Sequence, residues 1–261
     1  MKVNAIILDW AGTTVDYGCF APVNAFIKAF EEFGLTPTID ETRAPMGMQK
    51  RAHIAKMLES EQLAAQWVEK QGKPHTSEDI DKIYALFEPN LFSTLEDYTN
   101  PIPGAIETVQ KIRDMGIKIG STTGYTRAMM DVVVPSAAKK GYSPDFVVAP
   151  DECGNVGRPY PYMIWRNLEQ LKVCDIRNVV KIGDTAADME EGVNAGCICV
   201  GVLKGSSMLA LSEEEVNTMP EVQLEALLKK AEQEYLDAGA DYVIRDITAL
   251  PELIKLIEKG D

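Results

Sequence analysis

Short runs of β-branched and aliphatic residues recur along the chain, at Val3 to Leu8, Ile117 to Gly120, Phe146 to Ala149, Val179 to Ile182, Ile198 to Val202 and Tyr242 to Ile244. Runs of this length bounded by polar residues, Gly or Pro read as buried strands. Helical periodicity fills the intervals: Ile106, Val109 and Ile112 form an apolar stripe before the second run, Tyr125 to Lys140 follows it, and Pro159 to Leu171 follows the third. Strands alternating with helices predict an α/β fold, a doubly wound, mostly parallel sheet with helices on both faces.

One interval breaks this rhythm. From about Cys19 to Thr99 no strand is evident, whereas helical patterns run over Val23 to Phe33, Arg43 to Leu58, Ala64 to Gln71 and Glu78 to Leu91. The expected organisation is a core domain of residues 1–18 and 100–261 with an inserted helical cap domain of residues 19–99. The alternative is that these helices pack directly on the sheet. Ser212 to Glu215 is acidic, but its S-x-x-E spacing is that of a capping box opening a helix.

Composition narrows the class of function. With 26 Lys and Arg against 40 Asp and Glu, the net charge is -14, so no basic footprint for nucleic acid or an anionic membrane is present. Five cysteines without C-x-x-C pairing suit free thiols in a reducing compartment, and no apolar stretch reaches membrane-spanning length. The expectation is a cytoplasmic protein. Cys197 and Cys199 alternate along a strand and are expected to pack in the core rather than bind metal.

In open parallel sheets, ligands bind beyond the carboxyl ends of the strands. Four such ends carry chemistry: Asp9 after the first, Thr122-Thr123-Gly124 after the second, Gly157-Arg158-Pro159 after the third, and Gly183-Asp184-Thr185-Ala186-Ala187-Asp188 after the fourth. Asp9, Asp184 and Asp188 offer hard oxygen donors suited to Mg²⁺. Thr123 and the neighbouring amides, Gly124 among them, suit phosphoryl oxygens, Arg158 neutralises their charge, and Asp9 can attack phosphorus to give an aspartyl phosphate. Singly, each is explained as well by a turn, a cap or a surface cation. Together, in this order, they point to phosphoryl chemistry.

D-x-x-G-T at Asp9 to Thr13, Thr123, Arg158 where Lys is usual, and G-D-T-x-x-D at Gly183 to Asp188 resemble the four motifs of the haloacid dehalogenase superfamily, and the helical insertion resembles its first class of cap. In relatives that hydrolyse or move phosphate esters, a second aspartate two residues after the first protonates the leaving alkoxide. Here that position is Ala11. Ala11 suits a catalytically dead homologue, a weak phosphatase, or a reaction whose leaving atom is carbon. In the last case a lysine condensed with an adjacent carbonyl would accept the electrons as an enamine.

The segment Pro45 to His53 supplies a lysine. On a continuous helix Met46, Lys50 and His53 would share a face, with Met46 disfavouring the ammonium, Arg51 adding like charge and His53 relaying a proton. D-W-A-G-T-T-V-D-Y-G-C-F-A-P at Asp9 to Pro22, P-M-G-x-x-K at Pro45 to Lys50, G-S-T-T-G-Y-T at Gly120 to Thr126 and G-R-P-Y-P at Gly157 to Pro161 resemble the phosphonatase family, the phosphonoacetaldehyde hydrolases. The resemblance implies Mg²⁺-dependent hydrolysis of phosphonoacetaldehyde to acetaldehyde and phosphate in 2-aminoethylphosphonate degradation, by a homodimer. It assigns Asp9 as nucleophile, Lys50 as Schiff-base lysine, and Asp9, the Ala11 carbonyl and Asp184 as metal ligands supported by Asp188. It places Thr123 and Arg158 on the phosphonyl group and Met46, His53, Cys19 and Tyr125 near the substrate. A phosphatase or phosphomutase acting on a small ester, and a non-catalytic phosphometabolite-binding protein, are the competing readings.

Overall fold

The computed structural model describes residues 2–260. Six strands, β1 (Ala5–Leu8), β2 (Lys118–Thr122), β3 (Phe146–Val148), β4 (Val179–Gly183), β5 (Ile198–Val202) and β6 (Tyr242–Ile244), form one parallel sheet in the order β3-β2-β1-β4-β5-β6. The chain winds from β1 outwards through β2 to β3, then crosses back to β4 on the other side of β1. That reversal opens a crevice at the carboxyl end of β1. Leu8 is in register with Ser121 of β2 and Ile182 of β4, so the chain leaves these central strands at nearly one level. The six expected strands are present; β2 extends further than its apolar run because pairing continues through Ser121 and Thr122.

Alternation along β1 assigns the layers. Ile6 and Leu8 belong to an apolar cluster with α6 (Ala105–Asp114), α7 (Arg127–Lys139) and, later in the chain, α12 (Leu250–Lys259), while Ala5 and Ile7 cluster with α8 (Tyr162–Leu171) and the end of α9 (Ala186–Ala195). Short α10 (Glu213–Thr218) opens with the expected capping box: Ser212 Oγ accepts from Glu215 N at 3.2 Å and Glu215 accepts from Ser212 N at 2.7 Å. The longer α11 (Glu221–Asp237) packs Leu224, Leu228 and Tyr235 against Cys199 of β5. Cys197 and Cys199 are both buried and both approach backbone carbonyls of α9, the packing role expected of them.

Between β1 and β2 the chain builds a purely helical layer, with α1 (Ala21–Glu31), α2 (Ile39–Arg43), α3 (Lys50–Leu58), α4 (Glu61–Gln71) and α5 (Ser77–Phe92). Phe26 and Phe30 of α1, Ile54 and Met57 of α3, Trp67 of α4 and Ile83 and Phe87 of α5 bury against one another, with Phe26 stacked on Phe87 at 4.2 Å. The single helix expected from Arg43 to Leu58 is two. Helix α2 ends at Arg43, a turn through Pro45 and Gly47 (φ +87°) interrupts it, and Gln49 restarts it as the N-cap of α3 by accepting from Ala52 N at 3.1 Å. Pro lacks the amide needed to continue a helix, and the positive φ at Gly47 breaks it.

Two segments join the helical layer to the sheet, and they pair with each other. Asp16 N donates to Asn100 O at 3.2 Å, Ile102 N donates to Thr14 O at 2.9 Å, and Val15 bridges Pro101. The Asp16 carboxylate then accepts from Phe20 N and Ala21 N, both at 3.1 Å, seating the start of α1; burial pushes its pKa up to about 7.

Candidate active site

The turn between α2 and α3 rests on the strand ends and bounds a cavity of about 20 Å³, enough for one or two waters. Asp9, Ala11, Cys19, Met46, Lys50, Thr123, Gly124, Tyr125, Arg158 and Asp184 line it. Gly47 and Thr185 complete the wall. Close approach explains two glycines: a Cβ on Gly124 would stand 2.7 Å from Met48 O, and one on Gly47 would stand 2.4 Å from Thr185 Oγ1. A larger cleft of about 620 Å³ lies outside, sharing Met46 and Thr185 with the inner cavity.

The sheet side of the cavity is a web of charge. Arg158 Nη2 lies 2.5 Å from Asp9 Oδ1, 3.0 Å from Asp188 Oδ1 and 2.9 Å from Thr122 Oγ1. Its Nε donates to Glu191 Oε2 at 2.9 Å, and Lys181 Nζ pairs with Asp188 at 2.7 Å and Glu191 at 3.2 Å. Burial raises the Asp9 pKa, opposed by Arg158. Burial also opposes ionisation of Asp188, but Arg158 and Lys181 overcome it and hold this carboxyl below its ordinary range. Asp184 has no such cation beside it. Burial, then Asp9 and Asp188, drive its pKa well above the usual carboxylate value, although Ser207 N donates to Oδ2 at 2.8 Å.

This arrangement fits a divalent cation. Oxygens of Asp9, Asp184 and Asp188 lie within 4.8 Å of one another, all buried. Among the described residues the buried carboxyls of Asp9, Asp188 and Glu191 pair with two cations, Arg158 and Lys181, and Asp184 lies beside them, so ionising all four leaves an excess of two negative charges. Hard carboxylate oxygens with charge to compensate are the donors that Mg²⁺ takes. Ala11 lines the same cavity.

The helical side carries one buried amine. Lys50 is the first residue of α3, its Nζ 4.9 Å above the Tyr125 ring and 5.8 Å from that of Phe26. Among the described residues no ion pair reaches it. Burial lowers its pKa; the Arg158 charge adds to the effect and Asp9 opposes it. The like charge thus comes from Arg158 and not from Arg51, which points outward to Asp81 at 2.6 Å. Burial raises the pKa of both Cys19 and Tyr125, keeping each protonated beside the amine.

Two expectations change here, and one alternative falls away. Met46 reaches the cavity from the turn rather than from a helix face shared with Lys50. His53 lies one turn into α3 and faces the interior of the helical layer, stacked on Phe26 at 4.0 Å with Nε2 donating to Thr42 O at 2.8 Å. It is not among the residues lining the cavity, and burial together with Lys50 holds its pKa well below 6.5. Thr123 does not cap α7, a role that falls to Thr126; its hydroxyl accepts from Tyr125 N at 3.1 Å. Lys181 and Glu191 are charged partners that sequence reasoning missed, and Thr122, named only as part of its strand end, is the hydroxyl that joins them. Lys181 carried a signal, a lone cation in the apolar strand V-V-K-I-G.

Comparison with known proteins bears on the whole chain. A haloacid dehalogenase-like hydrolase family profile matches residues 3–196, and a HAD-hydrolase-like profile matches residues 155–250. The phosphonoacetaldehyde hydrolase of Bacteroides fragilis is 51% identical over 98% of this chain and 97% of its own length. The chain belongs to the phosphonoacetaldehyde hydrolase family. This places it among the haloacid dehalogenase-like hydrolases, as its motifs implied. A bifunctional phosphonoacetaldehyde hydrolase/aminoethylphosphonate transaminase of Clostridioides difficile is 50% identical over 98% of this chain, which spans 40% of that longer protein. The crystal structure of a phosphonoacetaldehyde hydrolase like protein from Oleispira antarctica superposes with a TM-score of 0.94 at 34% identity, covering 100% of this chain and 96% of the other. No helix among the described residues is long and apolar enough to cross a membrane.

Proposed function

We propose that this protein hydrolyses phosphonoacetaldehyde to acetaldehyde and phosphate, with residues 19–99 acting as a cap over the strand ends. One observation carries the reading: Lys50 and Asp9 line the same small cavity from opposite layers, with Ala11 where an ester hydrolase would keep its proton donor. Neutral Lys50 Nζ adds to the aldehyde carbon and loses water to form an iminium. Asp9 then attacks phosphorus, and the carbon–phosphorus electron pair moves into the iminium to leave an enamine and an aspartyl phosphate. Carbon protonation and hydrolysis of the regenerated iminium release acetaldehyde and free Lys50. Attack of a second water on the acyl phosphate releases phosphate and restores Asp9.

The remaining wall residues divide this work. Arg158 Nη1 has only a 3.4 Å approach to Gly47 O, which leaves it available to a phosphonyl oxygen, and Thr123 with the amide of Gly124 serves the others. Cys19, Met46 and Tyr125 pack around the two-carbon aldehyde and keep the amine dry. Asp9, the Ala11 carbonyl and Asp184 would hold Mg²⁺, with Asp188 behind them. Its positive charge would screen the phosphonyl dianion from the approaching Asp9 carboxylate. A cavity of 20 Å³ has no room for the substrate, so the cap opens to admit it, with the outer cleft as its approach. The family resemblance also supports a cytoplasmic homodimer, for which sedimentation should give about twice 28.8 kDa.

Borohydride treatment in the presence of phosphonoacetaldehyde tests the central step. Mass spectrometry should find a two-carbon adduct on Lys50. An active protein that yields no adduct refutes the imine route and favours an ester phosphatase.

A further inference from the structure

We propose that Glu191 and Lys181 are positioning residues that aim Arg158 at the phosphonyl group, and that Thr122 joins them into one unit. The inference rests on the assignment of Arg158 to that group. Both charges are fully buried, Lys181 in the middle of β4 and Glu191 on α9, and burying an ion pair often stabilises a fold no better than apolar side chains of the same size. Fold stability alone therefore does not account for them.

Their geometry does. The Thr122 hydroxyl is 2.8 Å from Lys181 Nζ and 2.9 Å from Arg158 Nη2, neither of which can accept, so its own proton points to Glu191 Oε2 at 3.0 Å. The direction of every bond in the unit is thereby fixed. Glu191 takes Nε of Arg158 at 2.9 Å, while Nη2 is held by Asp9, Asp188 and Thr122. A guanidinium is planar, so holding Nε and Nη2 sets where Nη1 points, and Nη1 is the nitrogen left with a single long contact, 3.4 Å to Gly47 O on the cavity wall. Lys181 contributes by sharing the load: Asp188 and Glu191 both reach Arg158, and because Lys181 pairs with each of them as well, their charge is compensated by two cations and not by Arg158 alone.

The test uses Mg²⁺ and inorganic phosphate as probes in calorimetric titrations of the full chain. Glu191→Gln should weaken phosphate binding about 10-fold and lower kcat/KM by at least as much, with Mg²⁺ affinity changed less than about twofold. Thr122→Val, which keeps the shape and removes the hydroxyl, should do the same and serves if the first variant does not fold. On an Arg158→Lys background, which has no Nε to hold, Glu191→Gln should change phosphate affinity less than about twofold. Wild-type phosphate affinity in Glu191→Gln or Thr122→Val overturns the proposal, as does an undiminished effect on the Arg158→Lys background. Phosphate binding requires no aldehyde, so this outcome is separate from success or failure of trapping at Lys50.

Discussion

The two walls of the cavity treat buried charge in opposite ways. On the sheet side, Arg158 and Lys181 are each clasped by carboxylates, and these ions keep their charge despite complete burial. On the helical side, Lys50 has aromatic rings for neighbours and its pKa is lowered by burial. A group that must bind an anion needs a permanent charge and therefore partners. A group that must attack a carbonyl needs a lone pair and therefore none.

The largest test of this contrast separates the walls. Lys50→Arg and Asp9→Asn should each lower turnover by about 10³-fold or more. They should fail differently: borohydride trapping is lost in the first and persists in the second, while Lys50→Arg still binds Mg²⁺ and phosphate. Trapping lost in both would mean that the walls do not act separately. A smaller effect is expected where they touch. Gly124→Ala puts a Cβ 2.7 Å from the Met48 carbonyl, so the turn cannot seat. Steady-state kinetics should show kcat/KM down about 10-fold, and stability should fall by about 1–3 kcal/mol.

The lowered pKa of Lys50 makes a prediction about stability and pH. The unfolded chain holds a proton on this lysine up to its ordinary value of 10.5, whereas the folded protein gives it up at lower pH. Between those values the unfolded state binds more protons, so this residue's penalty on folding shrinks as pH rises. Lys50→Met should therefore melt a few degrees higher than the parent at pH 7, and the gap should narrow as pH approaches 10.5. A gap independent of pH would show that the amine is not destabilised by burial. The smallest expected effect lies far from both walls. Ser212→Ala removes the cap of α10, costing about 1 kcal/mol in chemical denaturation with kcat/KM unchanged.

Legibility in the sequence followed the same division. Strand ends are read from short apolar runs, and the residues just beyond them, Asp9, Thr123 and Asp184, meet at the cavity because β1, β2 and β4 are in register. The helical wall was harder to read. Periodicity over Arg43 to Leu58 suggests one helix, although Pro45 and Gly47 are both signals of a break; with the break, Met46 reaches the cavity from the turn while His53 stacks on Phe26 within the helical layer. Glu191 was invisible for another reason: one carboxylate on an amphipathic helix looks like a solvated residue until the lysine of a neighbouring strand is known to lie beneath it.

The pairing of the two crossing segments has a mechanical consequence. Because Asp16 is bonded to Asn100 and Thr14 to Ile102, the helical layer is tethered by a double ribbon and not by two independent strings. A double ribbon resists shear and yields by twisting about its own length. Its root at Thr14 is itself anchored, since this hydroxyl donates to Asp9 O at 2.9 Å. A swing of the helical layer of the kind proposed above would therefore be felt as torque at the Asp9 peptide.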